Sequence, residues 1–435
     1  MEEQGLPEAT STRTGKLSTF SLGAWCAPAL VLVNCALGAG ALHFPAAYDR
    51  SGGLLVGTLL QLGVTLLLGA SALVLAYCSD AHGSKTYHDV LETCSGRAAR
   101  NASAFSVILT CFGVCITLLI VTGDLYDRIF ASVYGDHFCQ VWFMSRQFTI
   151  SVTALTLILP LCFMQKIKFL QRVSIVGVLA ILYPAFLTIY SFYTVPRSEG
   201  VHLKTQPDSW VGLIATFPIY CFAYQMHEVV VPLYASMERR TFSQAAKALS
   251  AALLLLLLVY VMVGCFGYAT YGDTVKPDIM EMFDGSDPVV LVGVIALILK
   301  TVATYPLMTF CGRESVESLY LIIRHTTPED SVSAGRKHII TIIWFVATTV
   351  LSILPIDIGI AIKFLGCLSM LNIFVFPGLC LVGLATKKPG FIPREQLAIF
   401  FGCLFVVAGI ALFGLVLVDI AVFDLAEGET KHLCV

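Results

Sequence analysis

Charge is scarce in this 435-residue chain: Asp, Glu, Lys and Arg make up 13% of it, hydrophobic residues 57%, and the mean hydropathy is +0.82. A soluble domain carries about 25% charged residues, so this balance excludes a water-soluble globular protein and fits a chain whose solvent is mostly lipid. The net charge of −2 supplies no basic face for nucleic acid and no strongly acidic tail. Catalytic signatures are missing too. There is no glycine-rich phosphate loop, no nucleophile elbow and no metal-binding histidine spacing, which argues against an enzyme and against an organic cofactor. The fifteen cysteines do not form a disulfide framework. Most, such as Cys111, Cys115, Cys221 and Cys367, lie in apolar segments, where a free thiol behaves as a small hydrophobe. The N-terminus lacks the charged-then-apolar order of a cleavable signal, so residues 1–23 read as a short disordered cytosolic tail.

What the chain has instead is long apolar runs. A spanning helix needs about 20 predominantly apolar residues to cross about 30 Å of hydrocarbon. Eleven such runs are present, near 24–48, 54–78, 102–123, 148–163, 173–193, 211–234, 248–271, 289–311, 339–354, 358–384 and 397–423. They define one transmembrane unit over 24–423, followed by a short tail at 424–435. With the N-terminus in the cytosol, 18 of the 27 lysines and arginines fall in the alternate loops that face inward, Arg239, Arg240 and Arg313 among them. An odd number of crossings then puts the C-terminal tail outside. The sequon at Asn101 falls on the cytosolic side, so it reads as unused.

Two spans break the rules of a plain membrane helix. The first reads LVLVNCALGAGALHFPAAY, with Gly38, Ala39 and Gly40 at mid-membrane and Pro45 just beyond. The sixth reads LIATFPIYCFAYQMHEVVVPLY, with Pro218, a polar centre from Tyr224 to Glu228, and Pro232. They are counterparts if the chain is two five-helix repeats plus one further helix. Paired interrupted spans of this kind point to a transporter site made by inverted repeats. A break in the bilayer frees backbone groups that lipid cannot satisfy, so it persists only beside a cavity or inside protein. Freed N–H groups at a half-helix start suit a carboxylate, and freed carbonyls suit an ammonium. An amino-acid zwitterion offers both. Leu37, Gly38, Ala39 and Gly40 in span one and Phe222, Ala223, Tyr224 and Met226 in span six are therefore the candidate substrate residues. The other reading of the glycines is close helix packing through small residues.

At these residues the chain resembles the sodium-coupled neutral amino acid transporters of the amino acid/auxin permease group. The resemblance covers nearly everything after the N-terminal tail. It rests on NCALGAGALHFPAAY, TYHDV, TGDLYDRIF, CFAYQMHEVVVPLY, GYATYGD, TYPLMTFCGRESVE and FVFPGLCLVG. It is similar above all to the glutamine- and asparagine-preferring members, including a lysosomal type. The resemblance implies an all-α, LeuT-like inverted-repeat core of about eleven helices with helices one and six broken. It also implies transport of glutamine-like substrates and a sodium site at Asn34 and Thr304, with Thr301 beside it. The family commonly has a phenylalanine and a cysteine where this chain has Tyr224 and Met226, and often a glycine-rich start to span ten, where this chain has FLGCLSMLN. Some members carry a disulfide between outer loops. Here Cys139 has no cysteine to meet in 196–209, so that bridge is not expected.

Several residues carry two readings. Asn34 either ligates a cation or bonds a neighbouring helix. His227 and Glu228 either gate or sense pH, or else cap the second half of span six beside a water-filled vestibule. Lys300 sits mid-way along span eight, one turn before Thr304. It either snorkels or reaches the cation site and replaces sodium, leaving transport proton-linked or sodium-independent. Asp124 and Asp127 read as interfacial, and Asp357 and Lys363 as a helix end. Tyr87 opens a tyrosine sorting pattern. The functional expectation is a monomeric symporter of small neutral amino acids in the plasma or lysosomal membrane, coupled to sodium or to protons. The rival expectation is an amino-acid sensor with little flux.

Overall fold

The computed structural model describes residues 25–164, 167–195, 202–324, 334–354, 358–387 and 393–421. The expected tails, 1–23 and 424–435, and Asp357 lie outside them. Among the described residues there is no β-strand, and seventeen α-helices follow one another. They are α1 (Cys26–Ala36), α2 (Phe44–Ser51), α3 (Leu54–His82), α4 (Tyr87–Ser95), α5 (Arg97–Tyr134), α6 (Arg146–Thr153), α7 (Leu159–Cys162), α8 (Ile167–Thr194) and α9 (Trp210–Ile214). Then come α10 (Phe217–Ala223), α11 (His227–Ser236), α12 (Phe242–Tyr271), α13 (Pro288–Arg324), α14 (Ala334–Ser352), α15 (Ile358–Met370), α16 (Phe376–Thr386) and α17 (Pro393–Asp419).

Seven helical segments are long and apolar enough to cross a membrane, and the bent pair at α1 and α2 makes an eighth. The three remaining apolar runs are helical as well, as α6–α7, α9–α11 and α14. Two helices widen into π turns, over Ala154–Ile158 and Leu371–Val375, just ahead of Pro160 and Pro377. Proline has no N–H to give the preceding turn and its ring crowds the carbonyl four residues back. A wider turn at that point relieves both.

The core is made where α13 packs along α5 and α8, α10 packs on α15, and α12 packs on α1, α2, α3 and α8. Burial sorts the layers. In Ala361–Thr386 78% of the most apolar stretch is buried, against 17% in Pro393–Val418. Helix α17 is therefore an outer helix, with Leu397, Phe400, Leu404, Val407 and Ile410 turned outward, as suits a surface whose solvent is lipid.

Some sequence expectations change here. Helix α13 continues to Arg324, so Arg313 lies within it rather than in a loop. Its guanidinium is buried, donating to Thr341 Oγ1 at 3.0 Å. Tyr87 begins α4, whose N-cap Thr86 accepts from Asp89 N, and its hydroxyl donates to Asn372 O at 2.7 Å. Only 2% of Tyr87 is exposed, so it is not available as a sorting signal. Asp124 and Asp127, within the last third of α5, both lie beside Arg146 at the start of α6, an ion-pair cluster between the two helices. The side chain of Cys139 lies outside the described ones, and Lys363 is on α15.

Candidate functional site between two broken helices

The first break follows from backbone geometry. The N–H of Leu37 still reaches Val33 O at 2.7 Å, closing α1. Leu37 and Gly38 are then extended, and the chain resumes as a 3-10 turn over Ala39–His43, with Ala41 N–H on Gly38 O at 3.0 Å. The two halves of the span meet at 57°. The N–H groups from Gly38 to Gly40 thus begin a helical turn, where no earlier carbonyl is positioned to accept them. The two glycines differ in their need to be glycine. A Cβ on Gly38 would meet only Ala36 O, at 3.9 Å, whereas one on Gly40 would lie 2.9 Å from Ala223 Cα and 3.2 Å from the Phe222 ring. Gly40 is the contact that lets the two breaks touch, and Gly38 is the one that opens on space.

The second break spans Tyr224–Met226, between the end of α10 at Ala223 and the start of α11 at His227. The ends of α1 and α10 are held by one side chain. The hydroxyl of Tyr260, on α12, lies 2.9 Å from Ala36 O and 2.7 Å from Ala223 O, the last carbonyls of both half-helices. Its single proton serves one carbonyl at a time. The Tyr260 ring stacks on Phe44 with centroids 4.5 Å apart and takes Tyr224 edge-on at 4.9 Å.

A small cavity lies between the breaks, with an empty volume of about 470 Å³ that includes space open to its surroundings. Cys35, Ala36, Gly38 and Gly40 line it from span one, and Phe222, Gln225 and Glu228 from span six. Val114, Thr117 and Leu118 of α5 and Thr304 and Met308 of α13 complete the lining. Glu228 is 2% exposed. Its Oε1 accepts from Gln225 Nε2 at 2.6 Å, and its Oε2 has no partner. Gln225 is fixed in turn by Ser369 of α15, whose hydroxyl donates to Gln225 Oε1. A buried carboxylate with one oxygen unpartnered beside an apolar cavity is an acceptor waiting for a donor.

Behind Thr304 is a second polar cluster. Lys300 Nζ donates to the main-chain oxygen of Asn34, to Asn34 Oδ1 at 2.9 Å and to Thr304 Oγ1 at 2.5 Å. Asn34 Nδ2 donates to Ser174 Oγ of α8 at 3.2 Å, and Thr304 Oγ1 donates to Lys300 O at 3.0 Å. Gly177 makes room for this amide. A Cβ there would lie 2.0 Å from Asn34 Oδ1. Asn34 and Lys300 are 0% and 1% exposed. Lys300 has no carboxylate within ion-pair distance among the described residues, and it is not part of the cavity wall.

Residues 22–420 match the family described as transmembrane amino acid transporter protein. The chain belongs to that family. It is an integral membrane amino acid transporter, not an enzyme. Sodium-coupled neutral amino acid transporter 7 from Homo sapiens is 32% identical over 94% of this chain and 89% of its own length. Solute carrier family 38 member 8 from Homo sapiens is 28% identical over 94% and 96%. Among solved structures, MhsT in complex with L-phenylalanine superposes with a TM-score of 0.59 over 92% of this chain and 99% of its own, at 14% identity. The fold is therefore LeuT-like.

Within this transporter the residues singled out from sequence separate into groups. Gly38, Gly40 and Phe222 line the cavity, while Leu37 and Ala223 are packed in the core. Ala39 belongs to the 3-10 turn. Tyr224 and Met226 do not line the cavity. Tyr224 points to the aromatic cluster, its hydroxyl accepting from Gln61 Nε2 at 3.1 Å, and Met226 is fully buried as the N-cap of α11. His227 is also fully buried, against Leu68 O at 3.3 Å and away from the cavity, whereas Glu228 lines it. Asn34, Lys300 and Thr304 come together, but Thr301 turns to α5, with Thr122 Oγ1 at 3.0 Å. Sequence reasoning missed Ser174 and Gly177. The signal was present in their spacing, since small residues three apart share the face by which membrane helices approach.

Proposed function

We propose that the chain is an alternating-access carrier of small neutral amino acids, of the glutamine and asparagine class. The cavity between two broken helices carries this reading. The substrate carboxylate binds at the N–H groups of Gly38–Gly40, and the substrate ammonium binds Glu228 Oε2 across the cavity. Support for neutral substrates comes from the names of the relatives and from the mainly apolar wall. In the same reading the N-terminus is cytosolic, 24–423 is the transporting unit crossing the bilayer eleven times, and the carrier resides as a monomer in the plasma or lysosomal membrane. The relatives' names also bring sodium coupling, with Asn34 and Thr304 as ligands and Thr301 turned away to Thr122. Proton linkage or independence of sodium is the alternative, and the position of Lys300 among those oxygens favours it.

Radiolabelled uptake into proteoliposomes, scanned across amino acids, tests the function. Glutamine and asparagine are expected to be taken up, and glutamine amide, which lacks the carboxylate, is expected neither to enter nor to compete. Full competition by the amide would remove the carboxylate site. Binding of glutamine without flux would turn the reading to a sensor. A second expectation concerns Glu228→Gln, which keeps the bond to Gln225 but loses the charge. Hydrogen bonds to charged groups contribute about 1.5–3 kcal/mol, so KM should rise roughly tenfold or more with little change in maximal rate. An unchanged KM would show that the ammonium binds elsewhere.

A further inference from the structure

We infer that the ammonium of Lys300 is this transporter's own resident cation, filling the place where its relatives' names imply sodium, so that transport needs no sodium at that site. The inference rests on the transporter reading above and concerns its coupling.

The oxygens that converge beside the first break are the kind a hard cation takes: a main-chain carbonyl, an amide oxygen and a hydroxyl. They belong to Asn34 at the end of α1 and Thr304 on α13. In this chain a covalently attached cation already sits among them. An ammonium has three protons, and Lys300 Nζ has three acceptors there. The acceptors are themselves arranged to accept. The Thr304 hydroxyl spends its proton on Lys300 O, and the Asn34 amide nitrogen is turned away to Ser174. Gly177 holds that orientation open, because any side chain there would strike Asn34 Oδ1.

Three other uses of the lysine fit less well. Snorkelling requires the head group to reach water, yet Lys300 is 1% exposed. An ion pair requires a carboxylate, and none lies within reach among the described residues. Direct binding of substrate requires access to the cavity, but Thr304 lines the cavity and Lys300 stands behind it. A sodium ion added to the same oxygens would share them with a like charge in a desolvated site, which is strongly unfavourable. The cluster joins α1, α8 and α13, so the lysine performs the structural task of a bridging ion. It ties the broken span to its neighbours.

The test uses the full-length protein. Initial uptake of labelled glutamine is measured in sodium chloride and in choline chloride at equal ionic strength. In parallel, the melting temperature of the detergent-purified protein is followed against each salt. Wild type is expected to transport equally in both and to show no sodium-selective rise in melting temperature. Lys300→Ala vacates the oxygens, so its melting temperature should rise with sodium and not with choline. Lys300→Met, which keeps the unbranched stem without the charge, should transport in choline at least about tenfold more slowly than wild type. Wild-type uptake that falls in choline, or a wild type selectively stabilised by sodium, overturns the inference. So does a folded Lys300→Ala protein whose melting ignores sodium, or a folded Lys300→Met protein with wild-type uptake in choline. If no amino acid is transported in any salt, the transporter reading fails instead, and the wild-type melting series still decides the cation.

Discussion

Gly177→Ala is expected to cut uptake at least tenfold and to lower stability by about 2–4 kcal/mol, although it adds a single methyl group. The added Cβ would lie 2.0 Å from Asn34 Oδ1 and 3.0 Å from its Cγ, with Ala303 Cβ at 3.1 Å blocking retreat on the far side. The Asn34 amide must therefore swing out. It then loses the bonds from Lys300, at 2.9 Å, and to Ser174, at 3.2 Å. A buried ammonium short of one acceptor accounts for most of the loss. Gly63→Ala is the control. It lies on an exposed face of α3, and its Cβ would meet nothing within 4 Å. Thermal unfolding in detergent and initial uptake rates measure both effects. A Gly177→Ala protein as stable and as active as the Gly63→Ala protein would show that Asn34 is not held as described.

Tyr260→Phe is expected to reduce uptake by between about tenfold and a hundredfold at nearly unchanged expression. The substitution keeps the ring, hence the stack on Phe44 at 4.5 Å and the edge contact with Tyr224 at 4.9 Å. It removes the one hydroxyl that serves the last carbonyls of α1 and α10, at Ala36 and Ala223. A buried acceptor without a donor costs about 1–3 kcal/mol, and here two share the loss. Tyr224→Phe is the companion measurement, since the Tyr224 hydroxyl bonds side chains, Gln61 Nε2 among them, and no half-helix carbonyl. It should leave both maximal rate and substrate ranking close to wild type. Equal effects of the two substitutions would mean that Tyr260 acts as a packing residue and not through its hydroxyl.

Much of this arrangement was legible in the sequence, and the parts that were not have physical reasons. Glycines, prolines and polar residues inside apolar runs are costly in lipid, so the two broken spans announced themselves at Gly38–Gly40 and at Tyr224–Glu228. The resemblance pairs Asn34 with Thr304, and Lys300, four residues from Thr304 on the same helix face, is thereby placed near both. Thr301 is one position further along from Lys300, about 100° around the helix, and so it looks toward Thr122 instead. Directions within the second break were unreadable because a non-helical stretch has no period. Tyr224 turns to Gln61, while Gln225, part of the polar centre but not among the candidate site residues, holds Glu228 beside the cavity. Hydropathy alone ends span eight before Arg313 and so puts that residue in a loop, whereas α13 extends past its apolar stretch to Arg324.

The lysine among the oxygens of Asn34 and Thr304 also bears on electricity. An elementary charge carried across a membrane gains or loses about 2.3 kcal/mol per 100 mV of potential. A symporter that imports sodium with each zwitterion moves net charge and can concentrate its cargo at the expense of voltage. A cation tethered to α13 is returned with the protein at every turnover, and a zwitterion has no net charge of its own. On the inference drawn from Lys300, and where no proton moves with the substrate, a completed cycle carries no net charge, so the membrane potential does not set the amino acid gradient that the carrier can hold.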